Sequence, residues 1–257
     1  MKNSKIKNCF YTGGWDSTYM ILKYLKNGYT VKPIYVLDHN RKSYIKEKQT
    51  IIEILDLVKN TTPYKNNIMD VDFIDLSNVI VDDNIKNSYE TIKSKVFIGS
   101  QYKWLSEISK KYSSVSIGIE KPSGEYSGCV EAINSFGALK KDNEELIIDR
   151  EKSSFELISL MGNFVFPIIE MTEVEMIDDI RKWKYECIME HIWFCHSPIH
   201  NTPCGMCRPC EQKMQCQMDF LLPKKSQKRY YRLRRIKKIF GKKIGNFYSK
   251  MIIKMNK

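Results

Sequence analysis

The feature that most constrains this 257-residue chain is a pair of adjacent glycines, Gly13 and Gly14, between an apolar run and a helical pattern. Residues 6–11 are compatible with a strand, and residues 17–27 carry apolar side chains at helical spacing, ended by Gly28. A strand, a tight turn and a helix start aim backbone N–H groups at one point, where the helix dipole adds partial positive charge. The segment therefore predicts either an anion site or a plain strand-to-helix turn capped by Asp16 or Ser17.

The next segments alternate between strand and helix patterns. Residues 31–37, 70–76 and 115–119 are typical of strands, while residues 44–59 and 103–111 have helical apolar spacing. The order β-α-β-α predicts an α/β fold with a parallel sheet covered by helices.

Two later segments sharpen this prediction. Residues 120–128 are rich in Gly and Pro and follow a strand, so they form a loop at the sheet edge where open α/β sheets bind ligands. Thr172 and Glu175 have the spacing of a capping box, which predicts a helix that runs to about residue 183.

The residues at the glycine pair suit a phosphate and a divalent cation. Gly13 and Gly14 let the backbone approach an anion, the hydroxyls of Ser17 and Thr18 can donate to its oxygens, and Asp16 can help to hold Mg²⁺. A Walker loop needs a Gly-Lys-Ser/Thr sequence that is missing here.

Four of the eight cysteines fall within sixteen residues: Cys195, Cys204, Cys207 and Cys210. Four thiolates are the ligand set of a closed, structural zinc site, and Gly205 permits the tight turn that brings close ligands together. His196 and His200 are second-choice ligands. The other cysteines, Cys9, Cys129, Cys187 and Cys216, are expected to be small core residues.

The segment Thr12-Gly-Gly-Trp-Asp-Ser-Thr18 resembles the pyrophosphate loop of the N-type ATP pyrophosphatases, normally Ser-Gly-Gly-x-Asp-Ser, with Thr12 keeping the hydroxyl. Within that superfamily the cysteine cluster resembles the zinc site of the 7-cyano-7-deazaguanine synthase family, where one cysteine precedes a Cys-Gly-x-Cys-x-x-Cys group. The resemblance covers roughly residues 5–216. It implies a Rossmann-like fold of the adenine nucleotide alpha hydrolase type, with helices on both faces of the sheet and a C-terminal four-cysteine zinc element.

The same resemblance implies site residues. Thr12, Gly13, Gly14, Asp16, Ser17 and Thr18 would bind ATP, with Asp16 and Ser17 taking part in catalysis. Asn40, Arg41, Ser100, Gln101 and Tyr126 lie in segments that correspond to the family's substrate-reading loops. Those segments depart from the family pattern, with Gly128 and Val130 standing where the family has an aspartate and an arginine. Since pockets discriminate through polar groups that need partners, the acceptor pocket is expected to differ from the family's.

The resemblance implies an ATP-dependent ligase that needs Mg²⁺ and Zn²⁺. A small-molecule acid, such as the carboxylate of a deazapurine, would be adenylated with release of pyrophosphate, and ammonia or another amine would then displace AMP. In the family a second ATP drives dehydration to a nitrile, as a step of queuosine biosynthesis. Three alternatives stay open: a relative that modifies a protein or another amine, a tRNA-modifying enzyme, and a non-catalytic nucleotide-binding adaptor.

The basic residues are concentrated at the C-terminus. Residues 224–257 hold 14 Lys or Arg and no Asp or Glu, which leaves 28 basic and 30 acidic residues in the rest of the chain. We therefore divide the chain into a domain at 1–222, with a zinc element at about 187–216, and a basic tail at 223–257.

The tail has apolar residues at helical spacing, which predicts either a solvated helix that packs a few apolar residues on the body or a helix that binds a partner. An acidic protein partner or a nucleic acid suits it better than a membrane, because Gly241 and Gly245 interrupt it. Without a signal-peptide core or an apolar run long enough to span a bilayer, a cytoplasmic protein is expected, and a homodimer stays open.

Overall fold

Seven strands form one sheet in the residues that the structure, a computed structural model, describes: 5–121, 128–143, 145–216 and 218–255. They are β1 (Ile6–Phe10), β2 (Thr30–Leu37), β3 (Asp72–Asp75), β4 (Val115–Ser116), β5 (Leu139–Asp142), β6 (Glu145–Ile148) and β7 (Phe164–Val165). Their order across the sheet is β3-β2-β1-β4-β7-β6-β5.

The strand order places a switch point between β1 and β4. The chain moves outward from β1 through β2 to β3, then returns to the other side of β1 to form β4, and all of these neighbours are parallel. In open α/β sheets, ligands bind at the carboxyl edge beside such a reversal. The glycine pair follows β1, so the topology puts it at this position.

Helices cover both faces of the sheet. They are α1 (Trp15–Lys26), α2 (Tyr44–Thr61), α3 (Asp83–Lys93), α4 (Gln101–Ser109), α5 (Gly128–Phe136), α6 (Phe155–Met161), α7 (Glu173–Trp183), α8 (Glu186–Met189), α9 (Arg208–Gln215) and α10 (Lys224–Met255). Alternate side chains of β1 separate the two cores: Cys9 packs with α1, α2 and α7, whereas Phe10 packs on the opposite face with α3, α4 and α6. The predicted α/β fold, with a Rossmann-like mostly parallel sheet and helices on both faces, is confirmed.

Several local predictions are confirmed, with small shifts at the ends. Gly28 follows α1 with a φ of 80°, which explains why the helix ends there. The capping box of Thr172 and Glu175 is present in full at the start of α7. Helix α1 begins two residues earlier than the apolar spacing predicts, because Gly14 acts as its N-cap.

The sheet edge beyond β7 differs from the sequence prediction. Strands β5 and β6 form an antiparallel hairpin, and β6 pairs antiparallel with β7, so the sheet is mixed. The hairpin has little apolar alternation, since most of β5 is exposed. Strand β4 is also shorter than the predicted 115–119. The N–H of Ile117 still donates to the carbonyl of Val165 at 3.0 Å, and the chain then leaves the sheet and approaches α1 at Gly118.

The basic tail is folded onto the zinc element. Helix α10 bends at Gly241, where φ is 83°, into two helical segments. Arg232 lies over the ring of Tyr248 at 5.6 Å, and a side chain at Gly245 would meet the Cγ of Lys237, so the second segment folds back along the first. We call this pair of segments the C-terminal hairpin. Within the described ranges no helix combines the length and apolar character needed to cross a membrane.

Candidate functional site

The turn between β1 and α1 has the backbone geometry of a ligand cradle. Gly13 has a φ of 68°, and a Cβ there would lie 3.2 Å from a methyl group of Thr50 on α2. Gly14 is the N-cap of α1 and has no side chain to cap the helix, so the first-turn N–H groups stay available to a ligand. Gly118, after β4, packs so closely that a Cβ would lie 3.0 Å from the backbone nitrogen of Ser17.

The structure brings the hydroxyls of Thr12 and Ser17 together across the turn. The two oxygens are 3.3 Å apart, and the Ser17 hydroxyl also accepts a hydrogen bond from the backbone N–H of Thr12 at 3.3 Å. Thr12 is exposed and Ser17 is buried at 8 % exposure, so the pair spans from the surface to the base of the turn. Thr18 is separate: its hydroxyl is buried and lies 3.4 Å from the Tyr11 hydroxyl.

Three carboxylates from distant parts of the chain converge beside the turn. Asp16 lies on α1, Glu120 follows β4, and Glu173 begins α7; one oxygen from each lies within 4.8 Å of the others. Asp16 Oδ1, Glu120 Oε2 and Glu173 Oε2 are all inaccessible to solvent and have no hydrogen-bond partner. Clustered carboxylate oxygens are the donors that Mg²⁺, Ca²⁺ and Mn²⁺ prefer, so this set fits a hard divalent cation.

Burial and mutual repulsion perturb two of these carboxyl groups. Burial, opposed by Lys213 and reinforced by Glu173, raises the pKa of Asp16 to about 6. Burial, together with the charges of Asp16 and Glu173, raises the pKa of Glu120 to about 8. A cation held between them would replace this repulsion with attraction.

Lys213 brings a positive charge to the carboxylates from the C-terminal part of the chain. The residue lies on α9, is 5 % exposed and forms an ion pair with Glu173. Its Nζ also lies 5.3 Å from the centre of the Trp15 ring. The glycine turn contains no lysine of its own, and the fold supplies one from almost two hundred residues later in the sequence.

A cavity of about 210 Å³ opens between the glycine turn, the carboxylates and the C-terminal part of the chain. Arg41 lines it and pairs with Glu47 at 3.1 Å. Glu47 is 4 % exposed and accepts hydrogen bonds from Ser43 and Tyr35. We call this space the turn cavity; its lining includes Thr12, Gly14, Asp16, Glu173, His196 and Lys213.

A second cavity of about 230 Å³ lies near the end of β4. Gln101, Glu131 and Arg208 line it. Arg208 is followed in the chain by Pro209, which lines the turn cavity. We call it the β4 cavity. Of the predicted substrate residues, Ser100 and Asn40 are exposed and line neither of these two cavities. Tyr126 lies outside the residues that the structure describes.

The four predicted zinc ligands form one cluster. Their Sγ atoms all lie within 4.8 Å of one another, and measured pairs are Cys204–Cys210 at 3.9 Å, Cys195–Cys207 at 3.9 Å and Cys207–Cys210 at 3.4 Å. A tetrahedron with zinc–sulfur bonds of about 2.3 Å has edges of about 3.8 Å. The cluster could therefore hold a zinc ion, and neither His196 nor His200 belongs to it.

Backbone contacts tie the zinc element to the glycine turn. The N–H of Trp193 donates to the carbonyl of Gly13 at 2.8 Å. Cys210 and Lys213 lie three residues apart on α9, so the helix that carries one of the four clustered cysteines also positions the lysine. Among the remaining cysteines, Cys9 and Cys129 are buried in the core as predicted, Cys216 is only half-buried, and Cys187 is exposed, which corrects the prediction for Cys187.

Sequence reasoning missed Glu120, Glu173, Lys213 and Gly118 as members of the site. Glu173 was adjacent to the predicted capping box, and Glu120 began the loop predicted at the ligand-binding edge. Those positions were signals, but an acidic residue at a helix start usually stabilises the helix dipole. Lys213 had no signal beyond its place after the last cysteine.

No protein-family model matches the chain, and no curated protein matches it. Among solved structures, the chain is similar to one described as a predicted subunit of tRNA methyltransferase from Methanocaldococcus jannaschii, with 12 % sequence identity and a TM-score of 0.35 over 69 % of this chain and 74 % of that one.

Proposed function

We propose that this protein is an ATP-dependent adenylating enzyme that uses the turn cavity to bind the phosphates of ATP. The observation that carries the proposal is the meeting of a glycine-lined helix start with three inward-facing carboxylates and one buried lysine. The helix start supplies N–H donors for phosphate oxygens, and Lys213 supplies the positive charge that the turn lacks. The resemblance of the turn to the pyrophosphate loop of N-type ATP pyrophosphatases supports the same assignment.

Each residue near the turn has a defined task in this proposal. Gly13 and Gly14 admit the β- and γ-phosphates, and the hydroxyls of Thr12 and Ser17 donate to their oxygens. Asp16, Glu120 and Glu173 would hold Mg²⁺, which neutralises charge on the departing pyrophosphate. Lys213, paired with Glu173, would face the same phosphates.

The chemistry needs no covalent bond to the protein. A carboxylate oxygen of the substrate attacks the α-phosphorus of ATP, and the bond from that phosphorus to the bridging oxygen breaks to release pyrophosphate. Ammonia or another amine then attacks the acyl carbon, loses a proton and expels AMP, so that an amide forms. The protein contributes orientation and charge stabilisation.

The acid and the amine would occupy the β4 cavity. Gln101, Arg208 and Glu131 give this cavity an amide, a cation and a carboxylate, which can read a polar ring and its carboxylate. A deazapurine acid is the first candidate substrate. The departures at Gly128 and Val130 favour a second one, a different acid or an amine on a macromolecule.

Pyrophosphate release tests the adenylation step. Zinc-loaded protein would be incubated with ATP, Mg²⁺ and a panel of acids that includes 7-carboxy-7-deazaguanine, each with and without ammonium. We expect Asp16→Asn to lower the release by about 100-fold or more, while Asp83→Asn, an exposed aspartate on α3, leaves the rate unchanged. Release that is equal in the two variants would remove Asp16 from the mechanism.

Product analysis then distinguishes the candidate acceptors. Mass spectrometry would detect an amide or nitrile of the deazapurine, or a mass increase on a protein or tRNA added to the reaction. If ATP binds but no acid stimulates pyrophosphate release, the chain is a nucleotide-binding adaptor and the enzymatic proposal fails.

A further inference from the structure

The second segment of the C-terminal hairpin carries an exposed apolar stripe that faces away from the protein. Ile244, Phe247, Met251 and Met255 recur at intervals of three, four and four residues, which places them on one face of a helix. Their exposed fractions are 50 %, 70 %, 40 % and 73 %. Ile239 and Phe240, each 59 % exposed, extend the apolar surface to the bend at Gly241.

The stripe is a surface of an ordered helix whose other side is already packed. Tyr248, Ile252 and Ile253 contact the cluster around the zinc cysteines, and Leu233 of the first segment is part of that cluster. Gly245 packs against Lys237, which pairs with Glu211 of α9. Because the helix already has a buried face, the exposed stripe is not its core-facing side.

A row of lysines borders the stripe on one side. Lys243, Lys250 and Lys254 are exposed and recur at intervals of seven and four residues, so they lie on one face of the helix. At 100° per residue, this face is about a quarter-turn from the face that carries the apolar residues. Residues 224–255 contain no acidic side chain that could neutralise them. Apolar and positive surfaces therefore lie next to each other over residues 242–255, a segment about 20 Å long.

We propose that this stripe is a docking surface for an anionic lipid bilayer. Apolar side chains beside lysines match an interfacial helix, in which the apolar face enters the acyl boundary and the ammonium groups meet the headgroups. Gly241 and Gly245 interrupt the tail pattern in the sequence, but in the structure the second segment is helical: Gly241 forms the bend that exposes the stripe, and Gly245 lets the second segment pack against the first. The helix would lie along the surface, because its other side packs on the cluster around the cysteines.

Charge and chemistry argue against the other occupants. A second copy that met the same face would bring Lys243, Lys250 and Lys254 near their own equivalents, which costs free energy through like-charge repulsion. RNA would be held through the lysines, but the stripe contains one aromatic residue, Phe247, and three aliphatic ones that cannot stack on bases. Binding of the stripe to an acidic groove of a protein partner is one outcome of the experiment below.

Vesicle co-sedimentation of the full-length, zinc-loaded protein tests the proposal. We expect binding to phosphatidylglycerol–phosphatidylcholine vesicles and at least tenfold weaker binding to pure phosphatidylcholine. The double variant Ile244→Glu/Phe247→Glu should bind anionic vesicles at least tenfold more weakly. Its matched control is Ile80→Glu/Phe220→Glu, which adds the same charges at residues that are 88 % and 55 % exposed elsewhere, and should bind within twofold of the wild type.

A second pair of variants tests whether binding needs the three lysines beside the stripe or only the positive charge of the whole protein. Replacing Lys243, Lys250 and Lys254 by Gln should weaken binding more than replacing Lys111, Lys140 and Lys141, which are exposed on the body of the protein. Circular dichroism and zinc content verify that each variant is folded.

Three results would overturn the proposal. The first is wild-type protein that stays in the supernatant with anionic vesicles. The second is equal binding by the stripe variant and its control. The third is a protein that does not bind vesicles but binds poly(U) or an acidic protein, with this binding lost in the stripe variant. That result would assign the surface to the RNA or to the acidic protein. None of these results bears on pyrophosphate release.

Discussion

The zinc cysteines and the carboxylate cluster are two candidate metal sites built in opposite ways. All four cysteines lie between residues 195 and 210, and a local turn at Gly205 brings them together. The carboxylates stand at residues 16, 120 and 173 and meet because β1 and β4 are neighbours at the switch point of the sheet. The first site is a property of a short segment, whereas the second is a property of the fold.

This difference implies opposite responses to substitution. Zinc binding by four cysteines contributes directly to folding, so the C-terminal element is expected to depend on the ion. The carboxylates repel one another without a cation, so the removal of one relieves strain in the metal-free protein. Four variants, in order of their expected effect on the free energy of unfolding, test the contrast.

The largest effect is expected for Cys207→Ser. Loss of one thiolate should lower zinc content from about one ion per chain to near zero and destabilise the C-terminal element by several kcal/mol, because zinc binding contributes directly to folding. Metal analysis and urea unfolding measure both effects. Cys187→Ser, at an exposed cysteine, should retain zinc and stability; a stable, zinc-free Cys207→Ser protein would contradict the structural role.

The next effect is expected for Lys213→Met. It leaves Glu173 buried and unpaired beside Asp16, which should destabilise the protein by about 3 kcal/mol. Lys110→Met removes an exposed pair with Glu107 and should cost at most about 1 kcal/mol. The double variant Lys213→Met/Glu173→Gln should recover most of the loss in chemical denaturation; no recovery would mean that Lys213 acts by packing alone.

A smaller effect is expected for Gly118→Ala. The added Cβ would lie 3.0 Å from the Ser17 nitrogen, so β4 and α1 must move apart at about 1–3 kcal/mol. Gly99→Ala is the control, since its nearest atoms would be 3.7 Å away. Thermal unfolding compares the two, and weaker ATP binding in Gly118→Ala alone would connect this packing to the glycine turn.

The smallest effect on stability is expected for Asp16→Asn. In Mg²⁺-free buffer the variant should unfold within about 1 kcal/mol of the wild type, because the amide removes a repulsive charge from a buried cluster. The rise in melting temperature on adding Mg²⁺ should disappear, while Asp83→Asn keeps it. An unchanged Mg²⁺ response would exclude Asp16 as a cation ligand. The comparison of two metal sites would then no longer hold.

The accuracy of the sequence predictions follows the same division. The helix end at Gly28, the capping box at Thr172 and the convergence of the four cysteines were predicted correctly, because each depends on residues close in the chain. The hairpin of β5 and β6 was missed, since β5 is mostly exposed and has no alternation to detect. Cys187 was predicted as a core residue, but burial depends on neighbours that local sequence does not specify.

The sequence by itself determined the strand, the glycine turn and the helix that follow one another at residues 6–26, and the cysteine set that could hold zinc. Backbone geometry and ligand spacing over a few residues decide such features. Only the tertiary structure decided that Glu120, Glu173 and Lys213 face Asp16, and that the C-terminal hairpin leaves one apolar stripe exposed. These arrangements depend on the strand order and on helix packing, which bring distant residues together through contacts that no single segment encodes.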